Sequence, residues 1–203
     1  QSTILTIEEA KTITIGKDYQ KIIVKAAGTI LEDGKAEEII IEPSVGDGEV
    51  TLANIEGGLL EVQGGGTNSI YLKGTTSFDR VEAKRKEGPV RIKNDDTTKI
   101  QTLVVAEGSK DVILEGEVGN LEVLGHDVTV TATNTKLGDV SIDGKNSIVI
   151  IEESSQVDTA LIGKDAEGSK VVINGKAQEV RSEAEDAIVE ITGEVELLIV
   201  TGK

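Results

Sequence analysis

Short runs of β-branched and aliphatic residues recur along the whole chain, and apolar and polar positions alternate inside each run. The stretch 110–144 shows this most clearly, with runs at 112–114, 121–123, 128–130 and 140–142. A period of two is the signature of a β-strand, because successive side chains point to opposite faces. The pattern therefore predicts strands about ten residues apart, separated by tight turns that contain glycine or small polar residues.

The predicted strands form two classes that alternate along the chain, and members of one class follow one another about every 20 residues. The last apolar residues of the first class are Leu31, Leu52, Leu72, Ile92, Leu114, Val130, Ile150, Ile173 and Ile191. Those of the second class are Ile41, Val62, Val81, Val105, Val123, Ile142, Ile162, Val180 and Val200. Two strands and a short third side would make one coil. We predict an all-β fold, a single-stranded right-handed parallel β-helix (β-solenoid) of about ten coils of about 20 residues, with the hand taken from strand twist and the crossover rule.

The repeat runs through the chain without a low-complexity linker. We therefore predict one β-solenoid domain over residues 1–203, in which residues 1–25 form an irregular N-terminal strand and first coil. An antiparallel sandwich also has short strands at this spacing. The two-strand period favours the solenoid, and so does the scarcity of hairpin dipeptides such as Asn174-Gly175.

Composition and charge exclude several partners. The chain has 21 Lys and Arg against 37 Asp and Glu, a formal charge of −16. Such a surface repels phosphate backbones and anionic headgroups, so we predict no nucleic-acid partner. No apolar run approaches the roughly 18 residues of a transmembrane helix, so we predict no membrane span. The absence of cysteine excludes disulfides and thiolate chemistry.

Residues suited to catalysis or metal binding are few. His126 is the only histidine, so a zinc or copper site is not expected. Asp95 and Asp96 share a turn and are the weak candidates for a Ca²⁺ site; we predict no other cofactor. No carboxylate pair stands out as acid and base, so we predict that the chain is not an enzyme. The basic residues within 80–93 are interpreted as a solvated edge rather than as a surface that docks an acidic neighbour.

Three segments carry a resemblance to known proteins: VGDGEVTL (45–52), GGGTNS (64–69) and GSKDVILEG (108–116). Their coil style resembles the parallel β-helix segments of Gram-positive cell-surface proteins associated with S-layers and, more loosely, tapirins, some of which bind cellulose or other polysaccharides. This resemblance implies a β-helix fold and a secreted or cell-surface location, and it brings no catalytic residues. The start at Gln1 would agree with a removed signal peptide, and equally with a trimmed chain.

The two ends of the chain suggest a function. Both read as strands, from Ser2 to Ile7 and from 196 to 201, and neither carries a helical cap. An uncapped solenoid leaves an unpaired edge and an open core at each end. The predicted assembly interface is Ile4, Leu5, Ile7, Leu198, Ile199 and Val200.

We therefore expect a non-catalytic extracellular structural protein. It would be a homo-oligomer or filament, the subunit of a self-assembling cell-surface fibre, sheath or layer. Assembly would proceed by end stacking or by exchange of the N-terminal strand. The alternative is a cell-surface adhesin or polysaccharide-binding module. A polysaccharide lyase or hydrolase is the weaker alternative, because the turns are short.

Overall fold

The computed structural model describes residues 3–203 and is a β-solenoid, as the repeat predicts. Every strand pairing in it is parallel. Ser2, which begins the predicted N-terminal strand, lies outside the described residues. The strands are β1 (Ile4–Ile7), β2 (Thr12–Thr14), β3 (Asp18–Val24), β4 (Thr29–Ile41), β5 (Val50–Val62), β6 (Tyr71–Lys73), β7 (Ser77–Ala83), β8 (Val90–Asn94), β9 (Lys99–Val105), β10 (Val112–Val123), β11 (Thr129–Ile142), β12 (Ile148–Ile151), β13 (Gln156–Ile162), β14 (Lys170–Ile173), β15 (Lys176–Ser182), β16 (Ile188–Ile191) and β17 (Glu194–Val200). Within 3–203, the 3₁₀ turn Pro43–Val45 is the one helical element.

The strands stack into two faces that run the length of the solenoid. Face 1 contains β2, β6, β8, β12, β14 and β16, together with the first parts of the long strands β4, β5, β10 and β11. Face 2 contains β1, β3, β7, β9, β13, β15 and β17, together with the second parts of the same four long strands. The chain passes from one face to the other in every coil.

A corner of stacked turns separates the two faces in the N-terminal coils. Asp33, Asn54 and Gly74 adopt left-handed backbone conformations there, with φ of 55°, 54° and 63°. Asp, Asn and Gly tolerate this conformation better than other residues. The Asn54 side chain also ties the coils together: its Nδ2 donates to Asp33 Oδ1 at 3.0 Å, and its Oδ1 accepts from the Thr75 N–H at 3.0 Å.

The core is one continuous column of aliphatic side chains inside the coils. In face 2, Ile22 lies over Ile39 and Ile39 over Leu60, and each of them is fully buried. The same cluster extends to the C-terminal coils. Because each layer is thin, Val, Ile, Leu and Ala fill it, and Phe78 is the one aromatic residue in the cluster of buried described residues.

Candidate functional site

The predicted interface residues lie on the two end strands of face 2. On β1, Ile4 points outward and is exposed, Leu5 is half-buried against the core, and Ile7 is fully buried. Since Ile7 is buried within the chain, it can reach a partner only if β1 moves. On β17, Leu198 and Val200 face the core side, and Ile199 lies on the outer side and is half-buried.

The last coil exposes side chains that are buried in every equivalent interior position. Leu198, Val200 and Ile191 have exposed fractions of 45%, 60% and 40%. Their register partners one coil earlier are Val180, Ser182 and Ile173, with 0%, 2% and 0%. The last coil therefore has the sequence of an interior coil, with its apolar interior open to solvent.

Sequence reasoning named only part of this surface. The exposed large hydrophobic side chains of residues 3–203 are Ile4, Ile188, Ile191, Leu197, Leu198 and Val200. It missed Ile188, Ile191 and Leu197, of which Ile191 faces the core on face 1. The repeat contained the signal for Ile191, because the residue marks the last strand of the first class. We call β16 and β17, with these exposed side chains, the open coil.

The two ends also differ in charge. Residues 3–25 carry four lysines against three acidic residues, an excess of one positive charge. Residues 183–203 carry six acidic residues against one lysine, an excess of five negative charges. The N-terminal end is thus weakly positive, although the chain as a whole is strongly acidic. Opposite net charges favour head-to-tail over tail-to-tail contact between copies.

The candidate Ca²⁺ ligands Asp95 and Asp96 lie in a turn, and the carboxylate of Asp95 already accepts several hydrogen bonds there. Asp95 Oδ2 accepts from the Gly74 N–H at 2.9 Å, and Asp95 Oδ1 accepts from the N–H and the hydroxyl of Thr97 at 3.0 and 2.9 Å. The hydrogen bond from the Gly74 N–H, helped by the bonds from Thr97, holds the pKa of Asp95 below its usual value, although burial acts in the opposite direction. Asp96 is exposed beside it. Residues 3–203 contain no group of three or more His, Asp or Glu side chains arranged to hold a metal ion.

His126 contributes to a corner. Its Nδ1 accepts a hydrogen bond from the Lys145 N–H at 2.9 Å, and the side chain is exposed. The contact links two successive coils. Within residues 3–203, this is the only hydrogen bond that the His126 side chain makes.

Five of the six basic residues of 80–93 form ion pairs with acidic residues, either in the same coil or in another coil. Lys84 Nζ lies 2.7 Å from Glu82 and 3.2 Å from Glu61. The hydrogen bond with Glu82 is the main cause that raises the pKa of Lys84. The remaining pairs are Arg80–Glu82, Arg85–Asp47, Arg91–Glu115 and Lys93–Glu115. This neutralisation leaves little free positive charge to attract an acidic partner.

Shallow grooves follow the bend that leads into face 2. One groove of about 460 Å³ is lined by short polar side chains such as Asn120, Asp139, Ser141 and Thr159. Among the described residues, no aromatic side chain, on which sugar rings commonly stack, lines this groove. Phe78 is buried in the core.

Comparison with protein families, with curated protein sequences and with solved structures found no match. Over the described residues, no helix has both the length and the apolar character needed to cross a membrane.

Proposed function

We propose that this chain is a non-catalytic extracellular structural protein, the subunit of a cell-surface fibre, sheath or layer that assembles by stacking solenoid ends. The observation that carries the proposal is the open coil. Its core-facing Leu198, Val200 and Ile191 are exposed, although the equivalent positions one coil earlier are buried. The cell-surface location rests on the sequence resemblance and is part of the proposal.

A second copy is the occupant that best complements this surface. Another solenoid end offers parallel strand edges at the same spacing and, on face 2, aliphatic side chains at the same positions, so stacking can continue the hydrogen bonds and the core of that face. The excess of negative charge at the C-terminal end and of positive charge at the N-terminal end favours head-to-tail contact. Head-to-tail contact repeated without closure gives a filament.

Val200→Glu tests the proposal, because it places a charge on the open core without removing an interior contact. We expect the unsubstituted protein to sediment as species that grow with concentration and to form rods in electron micrographs. The variant should remain a monomer with an unchanged melting temperature. Gln101→Glu is the control, since it adds the same charge at an exposed position in the middle of the solenoid. A single monomeric species of the unsubstituted protein over a wide concentration range would contradict the proposal.

Polysaccharide binding is the second proposal, and the groove lined by Asn120, Asp139, Ser141 and Thr159 is the observation that favours it. Amide, hydroxyl and carboxylate groups of this kind can bind sugar hydroxyls. A pull-down on insoluble cellulose and on peptidoglycan tests it. Retention that Asn120→Ala with Thr159→Ala abolishes would support binding in the groove, and no retention would contradict it.

A further inference from the structure

The order of strands along the chain makes the two ends of the solenoid unequal. Within residues 3–203 the strands alternate between the faces, and the first and the last of them, β1 and β17, both lie on face 2. In this part of the chain face 2 has eleven strand layers and face 1 has ten. A coil that follows β17 would have to begin on face 1.

Direct stacking of two copies would break this alternation. If β1 of one copy paired with β17 of another, face 1 would lack a strand between β16 and β2. Those two strands would be about 10 Å apart, twice the normal strand spacing. Their facing backbone N–H and C=O groups would have no strand partners in the gap, which is costly where water is excluded.

The strand β1 occupies the place that β17 of a preceding copy would take. Leu5 and Ile7 of β1 lie over Ile22 and Val24 of β3. The register of β17 on β15 has the same phase as that of β3 on β4, so the repeat would place Leu198 over Ile22 and Val200 over Val24. β1 thus reproduces the inward-facing aliphatic pair of β17.

The β17 strand has the same length as β3. β3 and β17 each have seven residues, and the four residues of β1 pair with the last four of β3. With β1 removed, β17 would pair along the whole of β3, and β16 would become the layer next to β2 on face 1.

We propose that the receiving surface for a second copy is the edge of β2 and β3, and that β1 covers this edge in the single chain and leaves it on assembly. This inference rests on the proposed function and specifies how its joint is built. In this joint Val200 of the incoming copy takes the position of the fully buried Ile7. The free chain keeps its N-terminal edge covered by β1 until a partner arrives.

A reversible lock on β1 tests the proposal. Thr6 and Ile23 are register partners on the outer side of β1 and β3, and neighbouring parallel strands are at a distance that suits a disulfide. Because the chain has no cysteine, Thr6→Cys with Ile23→Cys gives a single defined bridge. The control is Thr102→Cys with Asn120→Cys, which bridges β9 and β10 in the middle of the solenoid.

We expect the oxidised β1 lock to need at least about tenfold more protein to assemble than the same variant after reduction. The control lock should assemble equally in both states. Equal assembly of oxidised and reduced β1 lock would overturn the proposal. If the unsubstituted protein does not assemble at all, the proposed function fails, and this result is distinct from equal assembly of the two lock states.

A second variant keeps the test valid if the cysteine pair damages the protein. Ile7→Ser weakens the hold of β1, because Ile7 is fully buried. If β1 must leave, the variant assembles at a lower concentration than the unsubstituted protein. If β1 is part of the joint, the variant assembles less readily, and that result would overturn the proposal.

Discussion

The two ends of the solenoid are built from similar strands and differ in what lies over them. At the N-terminal end β1 lies over β3, and Ile22 beneath it is fully buried. At the C-terminal end no strand of residues 3–203 lies over β17, and Leu198 remains exposed. The comparison shows that one extra four-residue strand decides whether an end is covered. It also shows that the last coil has the residue pattern of an interior coil.

Truncation of core-facing residues at the two ends should give the largest difference in the free energy of unfolding. Ile22→Ala removes buried methylene and methyl groups, and we expect it to lower the free energy of unfolding by about 3 kcal/mol. Leu198→Ala truncates a half-exposed side chain, and its cost in the monomer should stay under about 1 kcal/mol. Urea unfolding at a concentration that keeps the protein monomeric measures both. Equal losses of unfolding free energy in the two variants would show that Leu198 is covered in solution. The proposed difference between the two ends would then be wrong.

Amide hydrogen exchange sharpens the comparison at the N-terminal end. The Lys25 N–H donates to Ile7 of β1 at 2.9 Å, and the Glu42 N–H makes the same bond to Val24 one coil further in. If β1 detaches transiently, the Lys25 amide should exchange at least about tenfold faster than the Glu42 amide. The β1 lock should slow the exchange of Lys25 and leave Glu42 unchanged. Equal protection of the two amides in the unlocked monomer would mean that β1 is held as firmly as an interior strand.

The sequence predicted the fold well, because the fold depends on a repeat that the chain displays openly. Register was harder to predict. The run 148–151 is apolar throughout, so alternation cannot show which of its side chains face the core. Ile150, taken from the sequence as the last inward residue of this strand, points outward. The structure buries Val149 and Ile151 instead. Among the last apolar residues of the second strand class, Val180 lies two residues before the position that stacks with the others. Val62 and Ile162 belong to one column, and this column continues to the small polar Ser182.

The position of the exposed apolar side chains at the C-terminal end could be predicted from the sequence, but their full extent could not. A strand at a chain end can be read from 196–201, but exposure depends on what is stacked above each side chain. The pattern marks Ile191 and Ile173 as equivalent, although one is exposed and the other buried. The unequal number of layers on the two faces was also hidden, because it depends on which face β1 joins.

A substitution in the middle of the solenoid shows what a change far from both ends does. Asp95→Asn removes the charge that accepts hydrogen bonds from Gly74 and Thr97. Because the folded-state pKa of Asp95 is lowered, its ionised form adds stability above its ordinary pKa, and this stability is lost as the pH falls through the folded-state value. The side chain is exposed, so we expect a cost under about 1 kcal/mol at pH 7.

The same variant should match the unsubstituted protein more closely as the pH falls from the ordinary pKa of an aspartate towards the lower folded-state pKa of Asp95. Thermal unfolding between pH 2.5 and 7 measures this. Its association behaviour should be unchanged at all pH values at which it is folded. A difference in stability that grows on acidification would contradict the assignment of the turn charge, and altered association would contradict the view that assembly is confined to the ends.

The smallest expected effect concerns a column of alternating charge beside face 2. Asp18, Lys35 and Glu56 follow one another in register at one end, and Lys176 and Glu194 do so at the other. A joint between β17 and β3 would place Glu194 beside Asp18, so that two negative charges meet where the column elsewhere alternates. Glu194→Gln should therefore tighten association about twofold, because like charges directly opposite one another are destabilising.

The monomer should lose under about 0.5 kcal/mol from Glu194→Gln, since its ion pair with Lys176 is long, at 3.9 Å, and exposed. Glu56→Gln is the matched control, because it removes the same charge from the same column away from the joint. Sedimentation equilibrium compares the two. If β1 stays in the joint, Glu194 does not meet Asp18 and the two variants should associate alike. Tighter association of Glu194→Gln alone is thus specific to a joint in which β17 has replaced β1.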